Sequence, residues 1–98
     1  MKGKTPYHLF YIECGLGWAK LYEPLIELCK KENVKILQIK EKFGGLRFYV
    51  GKAPDKIYKA IDKAEKKSYK TCERCGNAAK LSTSGAYWYT LCERCNDR

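Results

Sequence analysis

Histidine is almost missing from this chain of 98 residues; His8 is the only one. That excludes the H-E-x-x-H helix of metalloproteases and the histidine-rich sites of many small nucleases. The zinc-deaminase signature is missing as well, and so are a Walker loop and a G-x-S-x-G elbow. The pair Gly44-Gly45 signals a turn and not a phosphate cradle, because no helix follows it directly. Glu13, Glu23, Glu27, Glu32 and Glu41 show no pairing that spacing reveals. His8 itself reads as a surface or packing residue. These absences favour a binding or structural protein over an enzyme. Long hydrophobic runs are missing too. The apolar stretch over residues 7–12 is interrupted by His8 and ended by Glu13, which is too short and too polar for a signal peptide or a membrane span. A cytosolic protein is therefore expected. Acidic residues are scarce: 11 Asp and Glu face 20 Lys and Arg, for a net charge of +9. Such a charge favours anionic partners, whether nucleic acid, an acidic protein surface or acidic lipid, and does not choose among them.

The length sets one domain, residues 1–98, with a modest core that an extra staple would help. Within it, residues 1–70 read as a helix–hairpin–helix part and residues 71–98 as a separate cysteine-bearing part. Residues 7–17 are aromatic and irregular, punctuated by Gly15 and Gly17. A helical pattern follows, with Trp18, Leu21, Tyr22, Leu25, Leu28 and Cys29 on one face. Pro24 either kinks this helix or opens one that runs to about Glu32. The stretch VKILQIKEKFGGLRFYVG reads as a β-hairpin turning at Gly44-Gly45. Its strand formers are Ile36, Leu37 and Ile39, and Leu46, Phe48 and Val50 alternate with Arg47 and Tyr49. In APDKIYKAIDKAEKKSYK, Pro54 and Asp55 suit a helix start. Ile57, Ile61, Ala64 and Ser68 then form the inward stripe. Lys56, Lys59, Lys63, Lys66, Lys67 and Lys70 face outward, as a solvated helix face would.

What the chain does have is six cysteines and the tetrapeptide CERC twice, at Cys72–Cys75 and Cys92–Cys95. The pattern is C-x2-C-x16-C-x2-C, the spacing of a structural zinc site. Two cysteines separated by two residues turn both sulfurs toward one point, and two such knuckles joined by a hairpin close a tetrahedron around Zn²⁺. Disulfides would need an oxidising compartment, for which there is no signal. A thioredoxin-like pair would need one C-x-x-C on a βαβ unit. Cys72, Cys75, Cys92 and Cys95 are thus the expected ligands of one structural zinc, and four thiolates leave no open position for catalysis. Arg74 and Arg94 are placed to offset the net −2 of such a site. Gly76 supplies the bend after the first knuckle. Strands are expected at residues 79–81 and 86–91, around a turn at 82–85. Cys14 and Cys29, without partners at ligand spacing, read as buried small hydrophobes. The expected fold class is α+β: two helices with a β-hairpin and a C-terminal four-cysteine zinc ribbon.

The strings ECGLGW, QIKEKFGGLRFYV, AEKKSYKTCERCG and TLCERC resemble a family of small zinc-ribbon proteins of bacteriophages and prophages. The resemblance runs over residues 8–95, and QIKEKFGGLRFYV is its most specific part. It is similar in kind to zinc-containing type II-A anti-CRISPR proteins. This implies a non-enzymatic inhibitor that binds the RNA-guided DNA nuclease of a type II CRISPR system in the bacterial cytoplasm. Many such inhibitors mimic DNA with acidic surfaces; a net charge of +9 does not suit that. Docking outside the DNA channel, impeding target-DNA loading, is the expectation. Lys40, Lys42 and Arg47 of the hairpin and Lys56, Lys59 and Lys63 of the second helix are the candidate contacts. The competing expectation is a nucleic-acid-binding accessory protein of phage, using Lys40, Lys42 and Arg47 with Tyr49, Tyr87, Trp88 and Tyr89. Against it stands core packing of the same aromatics between ribbon and helices, which is favoured in so small a domain.

Overall fold

The computed structural model describes residues 12–96, so His8 and the aromatic residues before Ile12 lie outside the described residues. A short strand β1 (Ile12–Glu13), a 3-10 turn (Leu16–Trp18) and helix α1 (Ala19–Lys31) lead into a hairpin of β2 (Ile36–Lys42) and β3 (Gly45–Val50). Helix α2 (Asp55–Ser68) follows, then a second hairpin of β4 (Lys80–Ser82) and β5 (Tyr89–Leu91), and one helical turn, α3 (Glu93–Asn96). The α+β class expected from the sequence is the one observed, with the four-cysteine cluster in the C-terminal part.

Helix α1 carries Pro24 in its interior, so the reading in which Pro24 opens the helix is set aside. The helix ends on Asn33 in the left-handed region (φ 58). The Val34 N–H donates to the Cys29 carbonyl at 2.8 Å, and the Asn33 N–H to the Lys30 carbonyl at 3.3 Å. This paired closure satisfies the last carbonyls of the helix. Trp18, Tyr22, Leu25 and Cys29 are buried as the periodicity predicts, together with Ile26, while Leu21 and Leu28 are only half-buried.

The three-stranded sheet has the order β1-β2-β3, with β1 parallel to β2 and β2 antiparallel to β3. Residues 7–17 are therefore not wholly irregular, because Ile12 pairs with Ile39. In a regular strand Ile36 and Ile39 would face opposite ways. A register shift between Ile36 and Gln38 turns Leu37 outward, half exposed, and lets both isoleucines reach the core. Such a shift adds one residue to one strand and reverses the alternation beyond it.

The turn falls one residue earlier than the sequence predicts. Lys42 pairs with Gly45, and the two turn residues are Phe43 (φ 55) and Gly44 (φ 80). Gly45 is held in the strand by close approach: a Cβ there would lie 2.5 Å from the Tyr69 ring. The left-handed conformation of Phe43 costs about 1–2 kcal/mol.

Helix α2 begins after Pro54, which caps it rather than forming its first turn. It lies beside β3. Ser68, buried, accepts the Leu46 N–H at 2.9 Å and donates to the Glu65 carbonyl. Ile57 and Ala64 are buried and Ile61 is partly so. All six outward lysines of this stripe are exposed.

The C-terminal part has little core of its own; among residues 71–96 only Cys72 and Thr90 are buried. It is held by the rest of the chain at two joints. At the first, the Gly17 N–H donates to the Glu73 carbonyl at 2.7 Å. The Gly15 N–H donates to the Glu73 carboxylate at 2.8 Å, and the Trp18 indole to the Thr71 carbonyl at 2.7 Å. At the second, the Thr90 hydroxyl donates to the Gly44 carbonyl at 2.7 Å, and Leu81 lies against Gly44.

The first joint tolerates no side chain at its glycines, since a Cβ on Gly17 would collide with the Cys72 and Glu73 carbonyls. Gly17→Ala is expected to destabilise the protein by about 2–3 kcal/mol. Leu16→Ser, at a residue 77% exposed, should move stability by less than about 0.5 kcal/mol. Urea unfolding of the metal-loaded proteins measures both, and equal midpoints for the two variants would contradict this account of the joint.

Candidate metal centre and its surroundings

The first knuckle is a tight turn held by its own backbone. The Cys72 N–H donates to the Asn77 carbonyl at 2.7 Å, and the Gly76 N–H to the Cys72 carbonyl at 2.9 Å. Gly76 takes φ 86, the positive angle its place after the knuckle requires. The Cys75 N–H points at the Cys72 sulfur, 3.5 Å away. The second knuckle is one turn of helix, α3, closed by the Asn96 N–H on the Cys92 carbonyl at 2.9 Å. The first ribbon strand is shifted by one residue from the sequence expectation, 80–82 instead of 79–81, and the second is shorter, 89–91 instead of 86–91. Ladder pairing stops at Ser82 with Tyr89, because Trp88 leaves the ladder to meet Phe43 of the first hairpin.

These two knuckles bring the sulfurs of Cys72, Cys75, Cys92 and Cys95 within 4.8 Å of one another. The Cys75 and Cys92 sulfurs are 3.6 Å apart. A tetrahedron with 2.3 Å metal–sulfur bonds has edges of about 3.8 Å, so the cluster fits a metal ion at its centre. Cys72 is buried, Cys92 and Cys95 half-buried and Cys75 exposed.

Electrostatics agree with the geometry. Burial opposes ionisation of Cys72, but the backbone N–H groups of Cys92, Cys75 and Arg74 outweigh it and bring its thiol down to about 6. Cys95 goes the other way, to about 12, through desolvation and then the sulfurs of Cys75, Cys72 and Cys92. Four thiolates gathered this closely repel one another, so the full set calls for a cation. Arg74 and Arg94 lie exposed on the two knuckles.

Outside the cluster, Cys29 is buried and Cys14 half-buried against the core, both thiols free. Burial pushes Cys29 up, and burial followed by the carboxylates of Glu73 and Glu41 pushes Cys14 up to about 12.

The six candidate contact residues divide. Arg47 is bound to Glu65 at 2.8 Å, and Glu65 also accepts from the Tyr69 hydroxyl at 3.0 Å. Lys56 is bound to Glu32 at 2.9 Å. Lys59 and Lys63 are exposed on α2 and Lys42 on the hairpin, with Lys40 half-buried; none of these four forms an ion pair among the described residues. Lys59 and Lys63 stand on the rim of an open groove of about 470 Å³ between α1 and α2. Its floor includes Leu21, Leu28 and Ala60, and Lys20, Lys56 and Lys67 complete the rim.

The expectation that the aromatics pack in a core is overturned. Tyr87 is 83% exposed, Trp88 45% and Tyr49 41%, and only Tyr89 is half-buried. The ribbon is too thin to cover them, since its strands are three residues each. The exposed Phe43 beside Trp88 carried no signal in the sequence, where FGG read as a turn and not as a surface.

Compared with protein-family profiles, curated proteins and solved structures, the chain matches none. Among the described residues no helix is long and apolar enough to cross a membrane.

Alkylation rates follow the thiolate population. With its thiol raised to about 12, Cys14 of the folded protein should react with iodoacetamide at least about tenfold more slowly than in the unfolded chain. Peptide mapping by mass spectrometry reads this directly. Alkylation of Cys14 at the unfolded rate would show the site to be open.

Proposed function

We propose that this is a non-enzymatic, zinc-stapled protein that works by binding another protein through a basic face. The metal is Zn²⁺. Four sulfurs at tetrahedral spacing suit a d¹⁰ ion without geometric demands of its own, and four thiolates close its coordination sphere. Its role is structural, and in small peptides such a site is worth on the order of 10 kcal/mol.

The observation that carries the binding reading is the groove between α1 and α2, an apolar floor under a rim of lysines. Such a surface fits an acidic, amphipathic segment of a partner. Its rim charges speed encounter and select partner sign, while the floor supplies burial. The resemblance over residues 8–95 supplies the particular partner: the effector nuclease of a type II CRISPR system in a bacterial cytoplasm. Docking falls outside the DNA channel and impedes target-DNA loading, since a net charge of +9 opposes occupation of a basic channel.

Experiments on the metal and on the partner test this. Metal analysis should find one zinc per chain, lost in Cys72→Ser with Cys92→Ser. Verified zinc removal should lower the melting temperature; an unchanged melting curve would remove the structural role. Lys59→Glu with Lys63→Glu should weaken nuclease binding roughly tenfold or more with zinc content intact, and added salt should weaken the native complex. Cleavage should fall more when the protein is added before target DNA than after. A protein that neither binds the nuclease nor changes its target loading is not this inhibitor.

A further inference from the structure

The tip of the first hairpin combines three features that stability alone does not explain. Phe43 sits at φ 55, where a bulky aromatic is a conformational outlier and where Asn or Gly is the ordinary occupant of a two-residue hairpin turn. Phe43 gains little burial there, being 59% exposed. And the strained turn is braced from several sides. The Gly44 N–H donates to the Glu41 carboxylate at 2.8 Å, the Gly44 carbonyl accepts the Thr90 hydroxyl at 2.7 Å, and Leu81 of the ribbon packs on Gly44. Strain that is held in place by surrounding structure points to use.

What the bracing presents is a rigid aromatic surface with a cation. The Phe43 and Trp88 rings meet edge to face at 62°, their centroids 5.9 Å apart. The Lys42 ammonium lies 5.7 Å from the Phe43 ring centre. Tyr87, next to Trp88, is 83% exposed. Rings meeting edge to face leave faces that neither ring covers, with the Lys42 ammonium over one face of Phe43, and the carboxylate nearest the turn, Glu41, is engaged by the Gly44 N–H.

We propose that this hairpin tip, Phe43 and Trp88 with Lys42, is a stacking platform for the unpaired bases of a single-stranded nucleic acid. Flat faces take bases of any kind, and Lys42 meets the phosphates between them. Stacking does not read the sugar, so DNA and RNA single strands bind alike. A duplex, whose bases are already stacked and paired, does not bind here. The tip is separate from the lysine-rimmed groove, so this proposal stands or falls independently of nuclease binding.

The chain has two tryptophans, and Trp18 is fully buried, so quenching of tryptophan fluorescence reports on Trp88. A thymidine decamer at low salt should quench the zinc-loaded protein, and a uridine decamer should do so with similar affinity. A decamer duplex and an abasic sugar-phosphate chain should not. Phe43→Asn should weaken decamer binding about tenfold or more while leaving the melting temperature unchanged or raised, because Asn accepts positive φ. Trp88→Ala should weaken it similarly, measured by anisotropy of a labelled decamer. The proposal is overturned if both variants bind as the native protein does, if the abasic chain binds equally well, or if no quenching occurs. It is overturned also if Phe43→Asn abolishes capture of a protein partner and leaves decamer binding intact, since the tip is then a protein hot spot.

Discussion

The structure depends on the first cysteine knuckle having two working sides. On one side the sulfurs of Cys72 and Cys75 face the metal position. On the other, the Glu73 carbonyl and carboxylate accept the N–H groups of Gly17 and Gly15, 58 residues away in the latter case. A ribbon with only Cys72 and Thr90 buried has no apolar driving force to hold its own shape. A metal held by the four sulfurs would fix the knuckle, which is the surface that the Gly15–Gly17 turn meets. Structural metal binding is folding free energy in such a part, and the backbone contacts are the route by which a metal here would act on α1 and the sheet.

The second joint links the same metal site to the hairpin. Glu73 and Thr90 are tied across the ribbon, the Glu73 N–H donating to the Thr90 carbonyl at 2.9 Å. Thr90 in turn holds the Gly44 carbonyl. The geometry of the hairpin tip is therefore coupled to the cysteine cluster through two hydrogen bonds and the packing of Leu81. A protein of this size gains rigidity at its surface by such coupling rather than by depth of core.

Charge is distributed to match. Glu65 and Glu32 hold Arg47 and Lys56 in cross-element ion pairs. The other lysines lining the groove, and Lys42 at the hairpin tip, form no ion pair among the described residues. The excess of positive charge thus acts in places, over an apolar floor between helices and beside aromatic rings, and not as a uniform coat.

Local chemistry explains what the sequence by itself determined. The four-cysteine cluster was legible because two-residue spacing is sufficient to aim two sulfurs at one point, whatever surrounds them. Both helices were legible because a three-to-four-residue apolar period and the caps around Pro54 and Asp55 are short-range signals. The hairpin was legible from its alternation. Tertiary packing decided the rest. That the turn fell on Phe43-Gly44 and not on Gly44-Gly45 left Gly45 in the strand, where the Tyr69 ring leaves no room for a Cβ. Ile36 and Ile39 both faced inward only through a register shift. The exposure of Trp88 and Tyr87 followed from how little cover a three-residue ladder provides. The role of Gly15 and Gly17 rested on a backbone contact with Cys72 and Glu73. A glycine's absent side chain says that something comes close and not what, so only the folded chain could name its partner.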